Sequence, residues 1–119
     1  MHLQESGEMY LEAIHVLSGE RPVVRAIDVA DYLCYSKPRV SRAIGLLKEG
    51  GYVGVSDNGG FQLTDEGKDV AGKIFERHTL LTSFLTKLGV SPETADEDAC
   101  KMEHVISDES MAAIKQFMK

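Results

Sequence analysis

The stretch that decides the fold is SKPRVSRAIGLLKEGGYVGVSDNGGFQL, residues 36–63. Its first half predicts a helix, because Ser36 is a favoured N-cap residue and Pro38 suits a first helical turn. Four apolar residues then recur at helical spacing, namely Val40, Ile44, Leu46 and Leu47. Gly50 and Gly51 provide the stop. The pattern predicts one helix of about three to four turns with an apolar side facing a core.

The second half of the stretch predicts a β-hairpin. Two short β-type runs, residues 52–55 and 61–63, flank the pair Asn58-Gly59. Asn-Gly between such runs is the strongest short-range signal for a two-stranded hairpin. A shorter helix is predicted just upstream, over residues 27–33, with Ile27, Val29, Ala30 and Leu33 facing inward. Two helices joined by a tight turn and followed by a hairpin are typical of a winged helix-turn-helix domain.

Four further helices are predicted around this stretch. One covers residues 4–17, with Gly19 as a plausible stop and Arg21-Pro22 as a break after it. A long one runs over about residues 65–88 after Thr64 as N-cap. Two more begin after Ser91 and after Ser107. The predicted fold class is therefore mainly α. A winged helix-turn-helix domain occupies residues 1–64, and an all-α domain, entered through the long linking helix, occupies residues 65–119.

Charge is distributed unevenly along the 119 residues. The formal net charge is −6, which argues against a protein that coats nucleic acid indiscriminately. Between Arg21 and Lys48, however, six basic residues stand against two acidic ones. The residues predicted to contact DNA from the third helix are Ser36, Lys37, Pro38, Arg39, Ser41 and Arg42. The alternative is a winged helix used for protein contacts.

Composition places the chain among compact proteins of the cytoplasm. Hydrophobic residues make up 43% of the sequence, enough to build a core, and no segment approaches the roughly 20 apolar residues that span a bilayer. A membrane partner is not expected. The two cysteines, Cys34 and Cys100, are expected to be free thiols in a reducing compartment.

A possible ligand pattern occurs at Cys100, Glu103 and His104. On a helix these residues stand at i, i+3 and i+4, so a thiol, a carboxylate and an imidazole can converge on one face and hold a divalent cation. Spacing alone favours a capped, partly buried helix end over a set of metal ligands. A metalloenzyme with Glu103 as general base is a further alternative. We predict no enzyme, because no glycine-rich loop, nucleophile elbow or second catalytic pair accompanies the pattern.

Several motifs together resemble those of the diphtheria-toxin-repressor family, which includes iron-dependent regulators and the manganese transport regulator. They are EMYLEAI at 8–14, SKPRVS at 36–41, LTDEG at 63–67, RHTLL at 77–81 followed by Phe84-Leu85, and ACKMEHVISDE at 99–109. They follow the family's order and spacing over nearly the whole chain. The resemblance implies a winged helix, a helical dimerisation domain, and metal bound between helix one and the second domain.

Carried over position by position, the resemblance implies a primary metal site formed by Met9, Cys100, Glu103 and His104. Met9 and Cys100 match the iron-type branch, whereas the manganese branch has carboxylates at both places. Soft sulfur ligands favour Fe²⁺, Co²⁺, Ni²⁺ or Zn²⁺ over Mn²⁺. We therefore expect Fe²⁺ as the cofactor.

A second metal site formed by Glu12 and His78 is also implied, with Glu103, Asp96 or Asp98 as further donors. His78 matches a ligand of both branches and Glu12 a ligand of the manganese branch. Two positions depart from the iron branch, with Thr82 in place of a glutamate and Asp96 in place of a histidine. No counterpart of the SH3-like third domain of longer iron-type members is expected in this sequence.

The function implied is that of a metal-dependent transcriptional repressor. Divalent metal would act as co-repressor and sensor, and a homodimer would bind a double-stranded operator with two-fold symmetry near metal-homeostasis genes. The alternatives are a manganese-responsive regulator of the same family and a metal-independent winged-helix regulator or protein-interaction module.

Overall fold

The computed structural model describes residues 5–119, with side chains from residue 7 onward. In this range the elements are α1 Glu5–Glu20, α2 Ala26–Leu33, α3 Lys37–Glu49, β1 Val53–Val55, β2 Phe61–Leu63, α4 Asp65–Leu88, α5 Pro92–Met102 and α6 Asp108–Phe117. The order confirms the predicted class, a winged helix-turn-helix followed by helices. The predicted first residue of helix one, Gln4, lies outside the described range.

The end of α1 differs from the prediction. The helix continues through Gly19 and ends at Glu20, directly before Arg21-Pro22. A residue that precedes proline is disfavoured in helical conformation, so Arg21 is the first position at which the chain must leave the helix. The proline, and not the glycine, therefore ends α1.

The chain divides into two compact units, residues 1–72 and 73–119. The core of the first unit is built mainly from α1, α2 and α3, and its largest fully buried side chains are Leu11, Ile14, Leu17, Val29, Val40 and Ile44. These residues recur at helical spacing, and removing them from water is the main force that holds the unit together.

Two apolar residues predicted to face this core are instead exposed. Ile27 is 48% exposed and Leu46 is 63% exposed. Each lies two residues from a buried neighbour, Ile27 from Val29 and Leu46 from Ile44. Two residues correspond to about 200° of helical rotation, which turns the side chain to the opposite side of the helix. The prediction was wrong at both positions because it counted apolar residues without asking which side of the helix each one faces.

The hairpin, or wing, pairs β1 with β2 in antiparallel register, with Val53 opposite Leu63. At its tip the Asn58 side-chain oxygen accepts a hydrogen bond from the Gly60 amide at 3.1 Å, as turn asparagines commonly do. The Phe61 amide donates to the Val24 carbonyl at 2.7 Å. This bond ties the wing to the segment that leads into α2.

The start of α4 packs tightly against the chain before β1. The Thr64 hydroxyl accepts from the Gly67 amide at 3.1 Å, as expected of an N-cap, and donates to the Gly51 carbonyl at 2.6 Å. A Cβ atom added to Gly67 would lie 2.2 Å from the carbonyl oxygen of Tyr52. Only glycine fits at this position without a shift of the backbone.

We expect Gly67→Ala to lower the free energy of unfolding by about 1–3 kcal/mol, the usual cost of forcing an extra carbon into a filled space. Urea unfolding followed by circular dichroism measures this. Gly72→Ala is the matched control, because a Cβ there meets no atom within 4 Å and alanine favours helix by roughly 1 kcal/mol. If Gly67→Ala and Gly72→Ala have the same free energy of unfolding, Gly67 does not pack tightly against Tyr52.

The second unit contains most of α4 together with α5 and α6. Its core is formed by Leu81, Ala99 and Met111, with Leu80, Met102, Ile106 and Ile114 packed against them. Ser91 and Ser107 cap α5 and α6, accepting hydrogen bonds from the amides of Thr94 and Ser110. Both predicted helix starts are confirmed.

The division between the units falls within α4, after Gly72. The domain boundary predicted from the sequence lies between residues 64 and 65, where α4 begins. Our assignment of residues 1–64 to DNA binding and 65–119 to metal binding and dimerisation stays a prediction. Within residues 5–119, no helix combines the length and the apolar character that crossing a membrane requires.

Candidate metal centre

A fully buried carboxylate, that of Glu103, lies at the centre of a cluster in the second unit. Its Oε2 atom is 2.8 Å from Nδ1 of His78, and its Oε1 atom is 3.3 Å from Nε2 of His104. The other ring nitrogen of His78 lies 2.8 Å from a carboxylate oxygen of Asp96. Two imidazoles and two carboxylates therefore form one connected series.

Two helices, α4 and α5, position this series. His78 lies in the middle of α4, Asp96 lies on α5, and α5 ends at Met102. Glu103 is the C-cap residue and still has helical dihedral angles, and its amide donates to the Ala99 carbonyl at 2.9 Å. His104 follows in the turn. The sequence prediction placed Glu103 and His104 on a helix, whereas they lie just beyond its last residue.

Burial separates the predicted ligands of the second unit into two classes. The side chains of Glu103 and His104 are 0% and 2% exposed, and that of His78 is 24% exposed. Cys100, one turn earlier on α5, is exposed. The structure thus brings together His78, Glu103 and His104, and Cys100 lies on the outer side of the same helix end.

The other predicted ligands, Met9 and Glu12, belong to the first unit. Both lie on α1 and are half-buried. They are three residues apart and so share one side of the helix. Their neighbours Leu11 and Ile14 are in the core of that unit.

The donor chemistry of the second unit fits a divalent transition metal. A carboxylate flanked by imidazoles supplies the oxygen and nitrogen donors that Mn²⁺, Fe²⁺ and Zn²⁺ accept. The hydroxyl of Thr82, one turn after His78 on α4, is buried and has no hydrogen-bond partner in the part of the chain that the structure describes. Buried hydroxyls of this kind are usually satisfied by an ordered water or an ion.

The predicted DNA-contacting residues occupy the first turns of α3. Ser36 caps the helix by accepting from the Arg39 amide at 3.3 Å. The remaining five, Lys37, Pro38, Arg39, Ser41 and Arg42, are exposed, as is Ser36. The guanidinium of Arg39 lies 3.9 Å above the centre of the Tyr35 ring, a cation–π contact that holds it at the beginning of the helix.

Two family models match the chain in succession. One, described as iron dependent repressor, N-terminal DNA binding domain, matches residues 2–61. The other, described as iron dependent repressor, metal binding and dimerisation domain, matches residues 64–119. This chain belongs to the iron-dependent repressor family. It is a family of metal-dependent transcriptional repressors, and the predicted resemblance is confirmed.

Named relatives within the iron-dependent repressor family include a transcriptional regulator, a toxin repressor and a manganese regulator. Transcriptional regulator MntR of Escherichia coli O6:H1 is 37% identical over 116 residues, which are 98% of this chain and 75% of the relative. The diphtheria toxin repressor of Corynebacterium glutamicum is 33% identical over 108 residues, 90% of this chain and 47% of the relative. A solved structure of the manganese regulator SloR superposes with a TM-score of 0.83 at 26% identity, covering 99% of this chain and 54% of the other.

The chain therefore spans about half the length of SloR and of the diphtheria toxin repressor, and three quarters of MntR. The relatives compared are named as regulators or repressors.

One residue of this family member was missed by the sequence reasoning. Arg77 lies in the RHTLL motif, but no role was predicted for it. In the structure its guanidinium reaches the main-chain carbonyl oxygens of Glu103 and Ile106, each at 3.1 Å. A sequence pattern cannot show these contacts, because the acceptors are main-chain atoms 26 and 29 residues away. Its position directly before His78 was the one available signal.

Proposed function

We propose that this chain binds operator DNA as a homodimer and that Fe²⁺ acts as its co-repressor, controlling genes of metal homeostasis. One observation carries the proposal. In the residues matched by the metal-binding family model, a fully buried glutamate lies between two imidazoles. Burying a carboxylate is costly, and proteins retain such groups where a cation or a specific partner uses them.

The proposed primary ligands are Met9, Cys100, Glu103 and His104, and the proposed second site uses Glu12 and His78 with Asp96 as a further donor. Support comes from the family's motifs and from the donor types. The thioether of Met9 and the thiol of Cys100 favour Fe²⁺ over Mn²⁺, because Mn²⁺ prefers oxygen.

A manganese-responsive regulator is the second candidate. Two observations favour it. The donors that the structure brings together in the second unit are carboxylate oxygens and imidazole nitrogens, which suit Mn²⁺ as well as Fe²⁺. Among the relatives, SloR is named a manganese regulator. Fe²⁺ and Mn²⁺ must therefore be compared directly.

The proposed reading of DNA rests on α3. Arg39 and Arg42 are exposed at its beginning, where recognition helices contact base edges, and Lys37 is placed for phosphate contact. In a symmetric dimer two such helices would enter successive major grooves about 34 Å apart. The spacing between them decides whether both can bind at once.

The first unit provides a route from ligand to recognition helix. Met9 and Glu12 lie on α1, and α1 shares one core with α3 through Leu11, Ile14 and Ile44. Because the side chains of a protein core are closely packed, a movement of α1 is passed on to α3. When bound, the cation would supply coordination bonds to donors of both units and so restrict where α1, and with it α3, can lie.

The first functional prediction is that operator affinity rises at least about tenfold with Fe²⁺ relative to chelator. This is the usual scale of allosteric coupling between two ligands. The duplex is one selected from a randomised pool by the Fe²⁺-loaded protein, and binding is followed anaerobically by fluorescence anisotropy. Mn²⁺ is titrated in parallel.

Each outcome decides between the candidates. Tighter binding with Fe²⁺ than with Mn²⁺ at equal free concentration supports the iron proposal, and the reverse order supports the manganese regulator. Equal affinity with metal and with chelator overturns both and leaves a metal-independent winged-helix protein. Sedimentation of the same samples tests the dimer.

A further inference from the structure

Two residues of α4 contact Glu103, one at its side-chain carboxylate and the other at its main-chain carbonyl. His78 approaches the carboxylate of Glu103 at 2.8 Å, and its chain neighbour Arg77 donates to the carbonyl oxygen of Glu103 at 3.1 Å. One side chain therefore contacts the donor group and the other contacts the backbone that carries it. The proposed function uses the first contact and gives no role to the second.

The guanidinium of Arg77 makes three contacts within the second unit. One nitrogen, Nη1, donates to the carbonyls of Glu103 and Ile106, and the other, Nη2, forms an ion pair with the carboxylate of Asp108. The Arg77 side chain is only 13% exposed. A single side chain thus joins the end of α5, the connecting turn and the start of α6.

Two of these acceptors are main-chain carbonyls at or near a helix end. Carbonyls at the end of a helix have no partner within the helix, and those of Glu103 and Ile106 lie at and beyond the end of α5. Asp108 is the first residue of α6. The Lys73 ammonium and the Arg77 guanidinium lower the pKa of the Asp108 carboxyl.

Arginine suits this position because of its shape. The planar guanidinium presents five N–H donors in a fixed fork, so one residue can serve two carbonyls and a carboxylate simultaneously. A lysine could keep the charge opposite Asp108, but its ammonium is a compact point charge with no comparable fork. The substitution Arg77→Lys therefore separates the ion pair from the carbonyl contacts.

We propose that Arg77 is a positioning residue for the metal centre. It holds the turn of residues 103–106 against α4, so that Glu103 and His104 keep their donor atoms in one arrangement both before and after a cation binds. This inference rests on the proposed metal-dependent function. It concerns the backbone beneath the ligands, and Arg77 itself supplies no donor atom.

The test measures Co²⁺ binding to the full chain, using the visible absorption of Co²⁺ as a report of ligand geometry. We expect Arg77→Met to weaken Co²⁺ affinity by about 10- to 100-fold, the scale seen when a residue that orients a ligand is removed. The absorption bands of the saturated complex should also shift or change intensity. Arg77→Lys should change both readouts in the same direction by a smaller amount.

Lys73→Met is the matched control. It removes the other cation that faces Asp108, at 3.5 Å, and leaves both carbonyl contacts of Arg77 in place. We expect wild-type affinity and a wild-type spectrum. If Arg77→Met does not fold, as judged by circular dichroism, Arg77→Lys decides the question alone.

Two results would overturn the inference. One is wild-type Co²⁺ affinity in a folded Arg77 variant. The other is weaker affinity with an unchanged spectrum at saturation, because that would mean lost stability without altered ligand positions. Failure of the proposed function looks different, since the wild-type protein would then show no metal-dependent binding to its selected duplex.

Discussion

Glu103→Gln should abolish the metal dependence of operator binding and weaken Fe²⁺ affinity by roughly 100-fold or more. Losing a residue that only orients a ligand already costs about 10- to 100-fold, and Glu103 is proposed as a ligand itself. The change removes the negative charge but keeps the size of the side chain and an oxygen near His78. We therefore expect the helix content and the metal-free unfolding midpoint to stay near those of the wild type.

Isothermal titration with Fe²⁺ under anaerobic conditions measures the affinity, and anisotropy with the selected duplex measures the operator response. Glu97→Gln is the matched control, because it removes the same charge from an exposed position of α5. It should behave as the wild type. A Glu103→Gln protein that still binds metal and DNA normally would show that the buried carboxylate serves the fold alone.

Replacing both arginines at the beginning of α3, Arg39→Ala with Arg42→Ala, is expected to remove sequence-specific DNA binding. An arginine that contacts a guanine edge contributes about 1–3 kcal/mol of discrimination, so losing two brings affinity down to the non-specific level. Metal affinity should not change, because neither residue is among the proposed ligands. The selected duplex and a scrambled duplex are compared at one salt concentration, since salt alone alters such affinities strongly.

Lys68→Ala is the control for charge, because it removes an exposed positive charge of the first unit that lies outside α3. It should weaken both duplexes to a similar, small extent. If the double variant also weakens both duplexes equally, then the arginines contact phosphates and do not read bases. If it binds the selected duplex as tightly as the wild type, α3 is not the recognition helix.

Together, Glu103→Gln and the double arginine variant separate metal sensing from DNA recognition. Glu103→Gln should lose metal response with an unchanged recognition helix, whereas the arginine variant should lose operator recognition with unchanged metal affinity. These two separate losses are expected if one part of the protein binds metal and another part recognises DNA. A single shared defect in both variants would instead indicate general loss of structure, which circular dichroism detects.

Much of the fold followed from local signals in the sequence. Ser36, Ser91 and Ser107 each cap the helix predicted to follow them, and Asn58-Gly59 lies at the tip of the predicted hairpin. Caps and turns involve residues two to four positions apart, so their chemistry is complete within a short window. The order of these elements was sufficient to predict a winged helix-turn-helix.

The candidate site was predicted only in part. Glu103 and His104 were named first from their spacing and His78 from family motifs, but the contact between His78 and Glu103 joins α4 to a residue 25 positions away. The buried state of Glu103, the exposure of Cys100 and the contact of Asp96 with His78 depend on how separate helices pack. No periodic sequence pattern shows these features, because each residue alone looks like an ordinary polar residue of its own helix.

The sequence by itself thus determined the helices, their caps, the wing and the chemical types of the proposed ligands. All of these depend on backbone preferences and side-chain chemistry within a few residues. Only the tertiary structure decided that Ile27 and Leu46 face solvent. It also decided that Glu103 is buried between two imidazoles and that Arg77 donates a hydrogen bond to the main-chain carbonyl of Glu103. Those outcomes depend on helix rotation and on long-range packing, where a shift of one residue changes which atoms meet.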